Sequence, residues 1–283
     1  MPMVEKSFSS LGAHGFHKIV YSEWTDGAAG TSIVCVHGLT RNGHDFDHLA
    51  AALQADARII CPDLPGRGRS HWLSEHSEYR PPTYAADLAA LIARLDVEQV
   101  DWVGTSLGGL LGMMLAAQPN SPIRRLVVND IGPFIARGAL QRISAYVGKD
   151  PEFADLAALE AYLRTINAPF GALSDAQWRH LAEHSARIDP ATGGLRLNYD
   201  PGIAAPFKEG FDSDVDLWGL WETISCPVLI LRGAESDILL HETAQEMLTR
   251  GPSAELIEIP GVGHAPMLMD EAQIAAVRAW LLS

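Results

Sequence analysis

Val100-Asp101-Trp102-Val103-Gly104-Thr105-Ser106-Leu107-Gly108-Gly109-Leu110-Leu111 joins a short run of strand formers to an apolar helical pattern through a Gly-x-Ser-x-Gly turn. So tight a strand-to-helix turn forces its central residue into a strained conformation and leaves the Ser106 hydroxyl exposed at the tip. Glycines two residues to either side let strand and helix approach closely, and the amides and positive dipole end of the helix point at the same spot. The pattern presents a nucleophile beside a place that favours negative charge.

Outward from this turn, short β-branched or apolar runs fall at residues 31–36, 57–61, 125–128, 227–231 and 254–259 and read as buried strands. Helical patterns at 46–53, 84–95, 107–117, 242–248 and 272–282 separate most of them. Strand alternating with helix predicts an α/β fold, a mostly parallel central sheet with helices on both faces. The alternation breaks once, where amphipathic helical patterns at 138–147, 151–166 and 174–187 replace the strands. Asp150-Pro151 and the pair Ser174 and Gln177 supply expected helix starts. The expected organisation is a core of residues 1–132 and 216–283 with a helical cap, or lid, inserted at 133–215. A Pro- and Gly-rich return at 189–211 closes the insertion.

The chain has 283 residues, 47% hydrophobic and 20% charged, which suits a large folded core and neither a disordered segment nor a membrane bundle. With 21 Lys+Arg against 35 Asp+Glu, the formal charge of -14 repels phosphate backbones and anionic headgroups, so no nucleic acid or membrane partner is expected. The nearly apolar stretch 107–117 is too short to cross a bilayer. Cys35, Cys61 and Cys226 lie in or beside apolar runs without metal spacing and are expected to be reduced and buried. Residues 1–11 lack the basic start and apolar run of a secretory signal, and a cytoplasmic location is the expectation.

A serine hydroxyl needs a base, normally a histidine oriented by a carboxylate. Among eleven histidines, His264 in Gly261-Val262-Gly263-His264-Ala265-Pro266 sits in a glycine-rich loop directly after the strand 254–259. Loops at strand C-termini are where open α/β sheets build their sites. Two carboxylates satisfy the chain order Ser, acid, His: Asp130 after the strand 125–128, and Asp237 after the strand 227–231.

Together with Val36-His37-Gly38-Leu39 and Pro62-Asp63-Leu64-Pro65-Gly66-Arg67-Gly68-Arg69-Ser70, these pieces make the chain resemble the α/β-hydrolase superfamily from about residue 18 to its end. The resemblance implies an oxyanion hole formed by the backbone N–H groups of Leu39 and Leu107, with His37 turning the loop. In the commoner family pattern the acid stands three residues after the strand-ending glycine. Here Ser236 occupies that place and Asp237 comes one later. Similar esterases with an Asp-Ile-x-Pro segment use the earlier aspartate, so Asp130 is preferred and Asp237 stays open.

Serine in the elbow separates the chain from related dehalogenases and epoxide hydrolases, which place aspartate there. Ala265 stands where carbon-carbon hydrolases usually carry an aromatic residue. The resulting expectation is a serine hydrolase that cleaves a small carboxylic ester through an acyl-enzyme, with short-chain or hydroxyalkanoate-oligomer esters suggested by similarity. Trp178, Phe170 and Phe207 are candidate pocket walls. A thioesterase, lactonase or carbon-carbon hydrolase on the same residues, or a slow-turnover ligand-sensing or partner-binding protein, are the alternatives.

No cofactor and no metal is expected. No Gly-x-Gly-x-x-Gly follows a strand; His44 and His48 lack the glutamate of the zinc-protease pattern and read as a solvated helix turn, and His180 with His184 as cap surface. Arg67-Gly68-Arg69 reads as turn geometry first and as a steering site for an acidic substrate second.

Overall fold

The computed structural model describes residues 3–27, 30–208, 210 and 212–283. The chain opens with strands β1 (Val4–Gly12) and β2 (Gly15–Trp24), then β3 (Ser32–Val36), α1 (Asp47–Leu53), β4 (Arg58–Pro62), α2 (Pro81–Arg94), β5 (Val100–Thr105), α3 (Leu107–Ala116) and β6 (Ile123–Asn129). A second stretch holds β7 (Phe134–Ile135), α4 (Arg137–Ser144), α5 (Leu156–Ile166), α6 (Asp175–Ser185), β8 (Ala186–Ile188), β9 (Leu195–Leu197) and β10 (Val215–Asp216). The chain then completes its main sheet with α7 (Trp218–Trp221), β11 (Val228–Gly233), α8 (His241–Met247), β12 (Ala254–Ile259) and α9 (Glu271–Leu281).

Eight strands form one sheet in the order β1-β2-β4-β3-β5-β6-β11-β12. From β4 to β12 every neighbouring pair is parallel. The C-terminal ends of these strands therefore share one edge, and the loops after β3, β5, β6, β11 and β12 converge there. Burial on both faces explains the unbroken apolar runs. Ile33 and Cys35 pack with Leu49, Leu53 and Val277 of α1 and α9, whereas Val34 and Val36 face the other way, into the core containing Leu88, Leu111 and Trp102.

The antiparallel hairpin β1-β2 was not legible as buried strand because it lies at the sheet edge, with burial alternating along β1. Its turn is two residues long and closes on Gly15 at φ 112°, a conformation that suits glycine.

Between β6 and β11 the chain leaves the sheet. β7 and β10 pair antiparallel, and Leu217 N–H donates to the Pro133 carbonyl at 2.7 Å, so both ends of the excursion are tied together. Helices α4, α5 and α6 occupy it, with a short β8-β9 hairpin that the apolar pattern had not suggested. Ser174 and Gln177 form the expected capping box of α6. The start expected at Asp150-Pro151 is corrected. α5 begins later, capped by Asp155, whose carboxylate accepts from Ala158 N–H at 2.8 Å, while Asp150 pairs with Arg187 at 2.8 Å. The expected return at 189–211 ends on Phe211, which lies outside the described residues.

Cys35 and Cys61 are buried and Cys226 is half-buried; all three are free thiols. Among the described residues no helix is long and apolar enough to cross a membrane.

Candidate active site

Ser106 sits between β5 and α3 at φ 52° and ψ -114°, the strained backbone that the turn demands. The flanking glycines are required by contact. A Cβ on Gly104 would lie 2.2 Å from the Gly108 carbonyl oxygen, and one on Gly108 would lie 1.9 Å from that of Val36. Ser106 N–H donates to the Asn129 carbonyl at 2.9 Å, which fixes the turn against β6.

His264 Nε2 lies 2.9 Å from Ser106 Oγ, and its Nδ1 lies 2.7 Å from Asp130 Oδ2. Because an ionised carboxylate only accepts, Nδ1 carries the proton and Nε2 offers its lone pair to the serine hydroxyl. Asp130 is wholly buried, also at positive φ, and its charge is met by three donors. Gly233 N–H reaches Oδ1 at 2.8 Å, and Ser236 Oγ–H reaches Oδ2 at 2.6 Å beside His264. A buried carboxylate is tolerable only with such compensation.

Ser236 was read from the sequence only as displacing the acid, and its part in the site was missed. It stands where the acid usually stands, and instead of supplying the carboxylate it donates to one, while accepting the N–H groups of Ile238 and Leu239, both at 3.2 Å. Its occurrence at the acid's position was the available signal. Asn129 was also missed: its Nδ2 donates to Thr105 Oγ1 at 2.9 Å and to the Pro266 carbonyl at 2.7 Å, linking the serine turn to the histidine loop.

Asp237 does not reach His264. It is exposed and holds Arg142 of α4 through two hydrogen bonds, at 2.6 and 2.8 Å. The one-residue offset points it outward, toward the excursion, while Ser236 points in.

The loop after β3 passes directly over the elbow, since a Cβ on Gly38 would lie 3.7 Å from Ser106 Cβ. Leu39 follows in that loop. Leu107 opens α3, so its N–H belongs to the first helical turn, where amides have no intrahelical acceptor. His37 is fully buried, its Nδ1 donating to the Gly38 carbonyl at 2.7 Å and its Nε2 accepting Leu64 N–H at 3.0 Å. Burial pushes this histidine down to about 4, which keeps it neutral and in the tautomer those two bonds require. Arg67 does not face solvent. It is completely buried, donates from Nε to the Leu39 carbonyl at 2.8 Å, and lies over the Tyr84 ring at 4.9 Å.

Of the aromatic residues expected as pocket walls, Phe170 comes nearest the chemistry: its turn rests on the histidine loop, where Gly263 N–H donates to the Pro169 carbonyl at 2.7 Å. Trp178 is buried against Phe170, rings nearly parallel with centroids 6.4 Å apart, and has Arg164 over its face. It packs the interior of the excursion. Phe207 lines a groove with His76, Val147 and Pro201 that includes none of Ser106, His264, Asp130, Leu39 or Leu107. The reading of His44 and His48 as a solvated turn, and of His180 and His184 as cap surface, is also corrected: His44 is buried and stacks on His184 of α6, and His48 meets His180 of α6 edge-on.

A family model described as "Alpha/beta hydrolase family" matches residues 33–277. The chain is 48% identical over 268 residues to a 3-hydroxybutyrate-oligomer hydrolase of Cupriavidus necator, covering 92% of each protein. It is 31% identical over 241 residues to a 2-(acetamidomethylene)succinate hydrolase of Mesorhizobium japonicum, covering 83% of this chain and 82% of that one. Among solved structures, an alpha/beta hydrolase from Novosphingobium aromaticivorans superposes with a TM-score of 0.89 at 34% identity, over 99% of this chain and 98% of the other.

Proposed function

The chain belongs to the alpha/beta hydrolase family, and from that premise we propose that it is an ester hydrolase working through an acyl-enzyme on Ser106. The observation that carries this reading is the unbroken hydrogen-bonded chain from Ser106 Oγ through His264 to the buried Asp130 carboxylate. Ser106 attacks the ester carbonyl while His264 Nε2 takes its proton, and Asp130 supports the imidazolium that results. The oxyanion forms between the backbone N–H groups of Leu39 and Leu107, the former in the peptide plane of the Gly38 carbonyl that His37 Nδ1 holds. His264 returns the proton to the leaving alkoxide and then activates water against the acyl group. Loss of one oxyanion donor typically costs about 2.7 to 4 kcal/mol, so the loop after β3 matters as much as the side chains.

Residues 133–215 act as a lid over this edge of the sheet. Their helices share one continuous apolar core with the sheet, through Leu159, Trp178 and Leu181, and among the described residues none of their side chains enters the hydrogen-bonded chain at Ser106. Such a lid shapes the pocket and excludes water. The 3-hydroxybutyrate-oligomer hydrolase relative supports short 3-hydroxyacyl esters as the substrate class.

Two measurements test the reading together. A fluorophosphonate should label Ser106, located by peptide mapping, because only an activated serine attacks such a reagent. Dimers and trimers of 3-hydroxybutyrate should be cleaved with higher kcat/KM than long-chain p-nitrophenyl esters. Labelling elsewhere on folded protein sinks the mechanism; labelling at Ser106 with preference for long chains retains the mechanism and sinks the substrate class.

A further inference from the structure

Two helical pairs of histidines, far apart in sequence, meet where the lid rests on the core. His44 lies within the short helical turn Gly43–Phe46 before α1 and His48 lies on α1, while His180 and His184 lie one turn apart on α6. His44 and His184 stack at 3.8 Å with their rings 15° apart, and His48 meets His180 edge-on at 5.2 Å. Asp47 stands at the centre. Its Oδ2 lies 2.8 Å from His44 Nδ1, 3.6 Å from His180 Nε2 and 4.0 Å from His184 Nε2. Its Oδ1 is buried without a hydrogen-bond partner, and so is His48 Nδ1. Buried polar atoms left in this state call for an explanation.

We infer that this seam binds a divalent transition-metal ion of the zinc class, held by His44, Asp47 and His184 with His180 as the adjoining fourth donor. One donor atom from each of His44, Asp47 and His184 already lies within 4.8 Å of the others. A tetrahedral zinc ion with bonds of about 2.0 to 2.2 Å spaces its donors roughly 3.3 Å apart, and because an imidazole donates in the plane of its ring, the stacked rings of His44 and His184 must turn out of parallel to close the site. Imidazoles with one carboxylate suit zinc, copper or nickel and not the all-oxygen shells of magnesium or calcium. Burial, with His44 and His180 alongside, pushes His184 down to about 4, leaving its ring neutral at pH 7 with a lone pair to give.

The surrounding charges make one demand. Arg69 Nη2 donates to His44 Nε2 at 2.8 Å, so Nδ1 now carries the proton. Metal capture at Nδ1 shifts the remaining proton to Nε2, and the Arg69 bond must break. Arg69 keeps its partner Glu5, at 2.5 Å. His180 exchanges its bond to the His44 carbonyl, at 3.0 Å, for the ion. The bound ion would thus join α1 of the core to α6 of the lid.

The test is calorimetric titration of the full chain, stripped with chelator, with zinc chloride, alongside thermal melts. Saturable binding of one zinc per chain is expected, with a rise in Tm. His184→Ala and Asp47→Asn should each weaken binding at least tenfold, Arg69→Ala should tighten it severalfold, and His264→Ala should leave it unchanged. Absence of saturable binding by the wild-type chain overturns the proposal. So does zinc affinity that survives both His184→Ala and Asp47→Asn, or that disappears in His264→Ala, which would move the ion to Ser106 and His264.

Discussion

Asp130 follows the end of β6 by one residue and Asp237 the end of β11 by four, yet their surroundings differ completely. Asp130 is buried under three donors with His264 among them, and Asp237 is exposed on the guanidinium of Arg142 in α4. Asp130→Asn places an amide against Nδ1, which favours the wrong tautomer of His264 and leaves its cation unsupported. A loss of about 10⁴ in kcat is expected, the size seen for such a change in a serine triad. Asp237→Asn should keep kcat near wild type, because an exposed ion pair contributes ~0 to 1 kcal/mol and touches no reacting group. Steady-state rates on one ester, for variants first shown to melt near wild type, decide it; a large kcat loss in Asp237→Asn alone reverses the assignment. The sequence carried both candidates at this position because chain order cannot tell which of two strand-end loops turns inward. The informative residue was Ser236, whose hydroxyl fills the place a carboxylate would otherwise need.

Elements were legible in proportion to how fully they are buried. β3, β5 and β11 are covered on both faces and read as plain apolar runs, whereas the edge hairpin β1-β2 mixes exposed and buried positions and did not. The meeting of α1 with α6 was invisible for another reason. Each histidine pair has ordinary helical spacing, and only the tertiary fold brings residues 136 apart into one hydrogen bond. The β5-α3 elbow was legible because its requirement is local and steric. Gly108 is the sharpest case: a methyl group there would sit 1.9 Å from the backbone oxygen of Val36, a group in the central sheet with no freedom to retreat. Gly108→Ala must therefore push α3 off β3, and with it Leu107 N–H and Ser106. Ester turnover should fall at least a hundredfold, and the melting temperature should drop by several degrees in line with an overpacking cost of about 1 to 3 kcal/mol. Ala116→Gly, at the other end of the same helix, should lose stability without a comparable loss of kcat. Wild-type turnover in Gly108→Ala would mean that the close β3-α3 approach is not what holds the elbow.

At the scale of the whole molecule, charge and buried histidine pull stability in opposite directions as pH falls. The chain carries -14 at pH 7 and has an isoelectric point of about 5.1, so acidification toward that value relieves self-repulsion. His37 opposes this. Its folded value of about 4 lies below the ordinary 6.5, so between those two values the unfolded chain binds a proton that the native chain refuses. Stability from this group is complete above pH 6.5, is lost as pH falls toward 4, and changes no further below; the full loss is about 3 kcal/mol. His184, lowered to about 4, acts in the same sense and window, and His48, also lowered by burial, acts in the same sense. Asp101, raised by burial against the pull of Arg124, works the other way. Fully buried His37 gives up to ~1.4 kcal/mol per pH unit within its window, and the partly exposed His184 and His48 add smaller, solvent-screened contributions of the same sign. Maximum stability is therefore expected above pH 6.5, away from the isoelectric point. Urea unfolding followed by tryptophan fluorescence at pH 7, 6 and 5.1, with chelator present, should give a steady decline. His184→Gln should flatten that decline, because a glutamine side chain has no proton to gain on unfolding. A stability maximum at pH 5.1 would show that net charge outweighs the buried imidazoles.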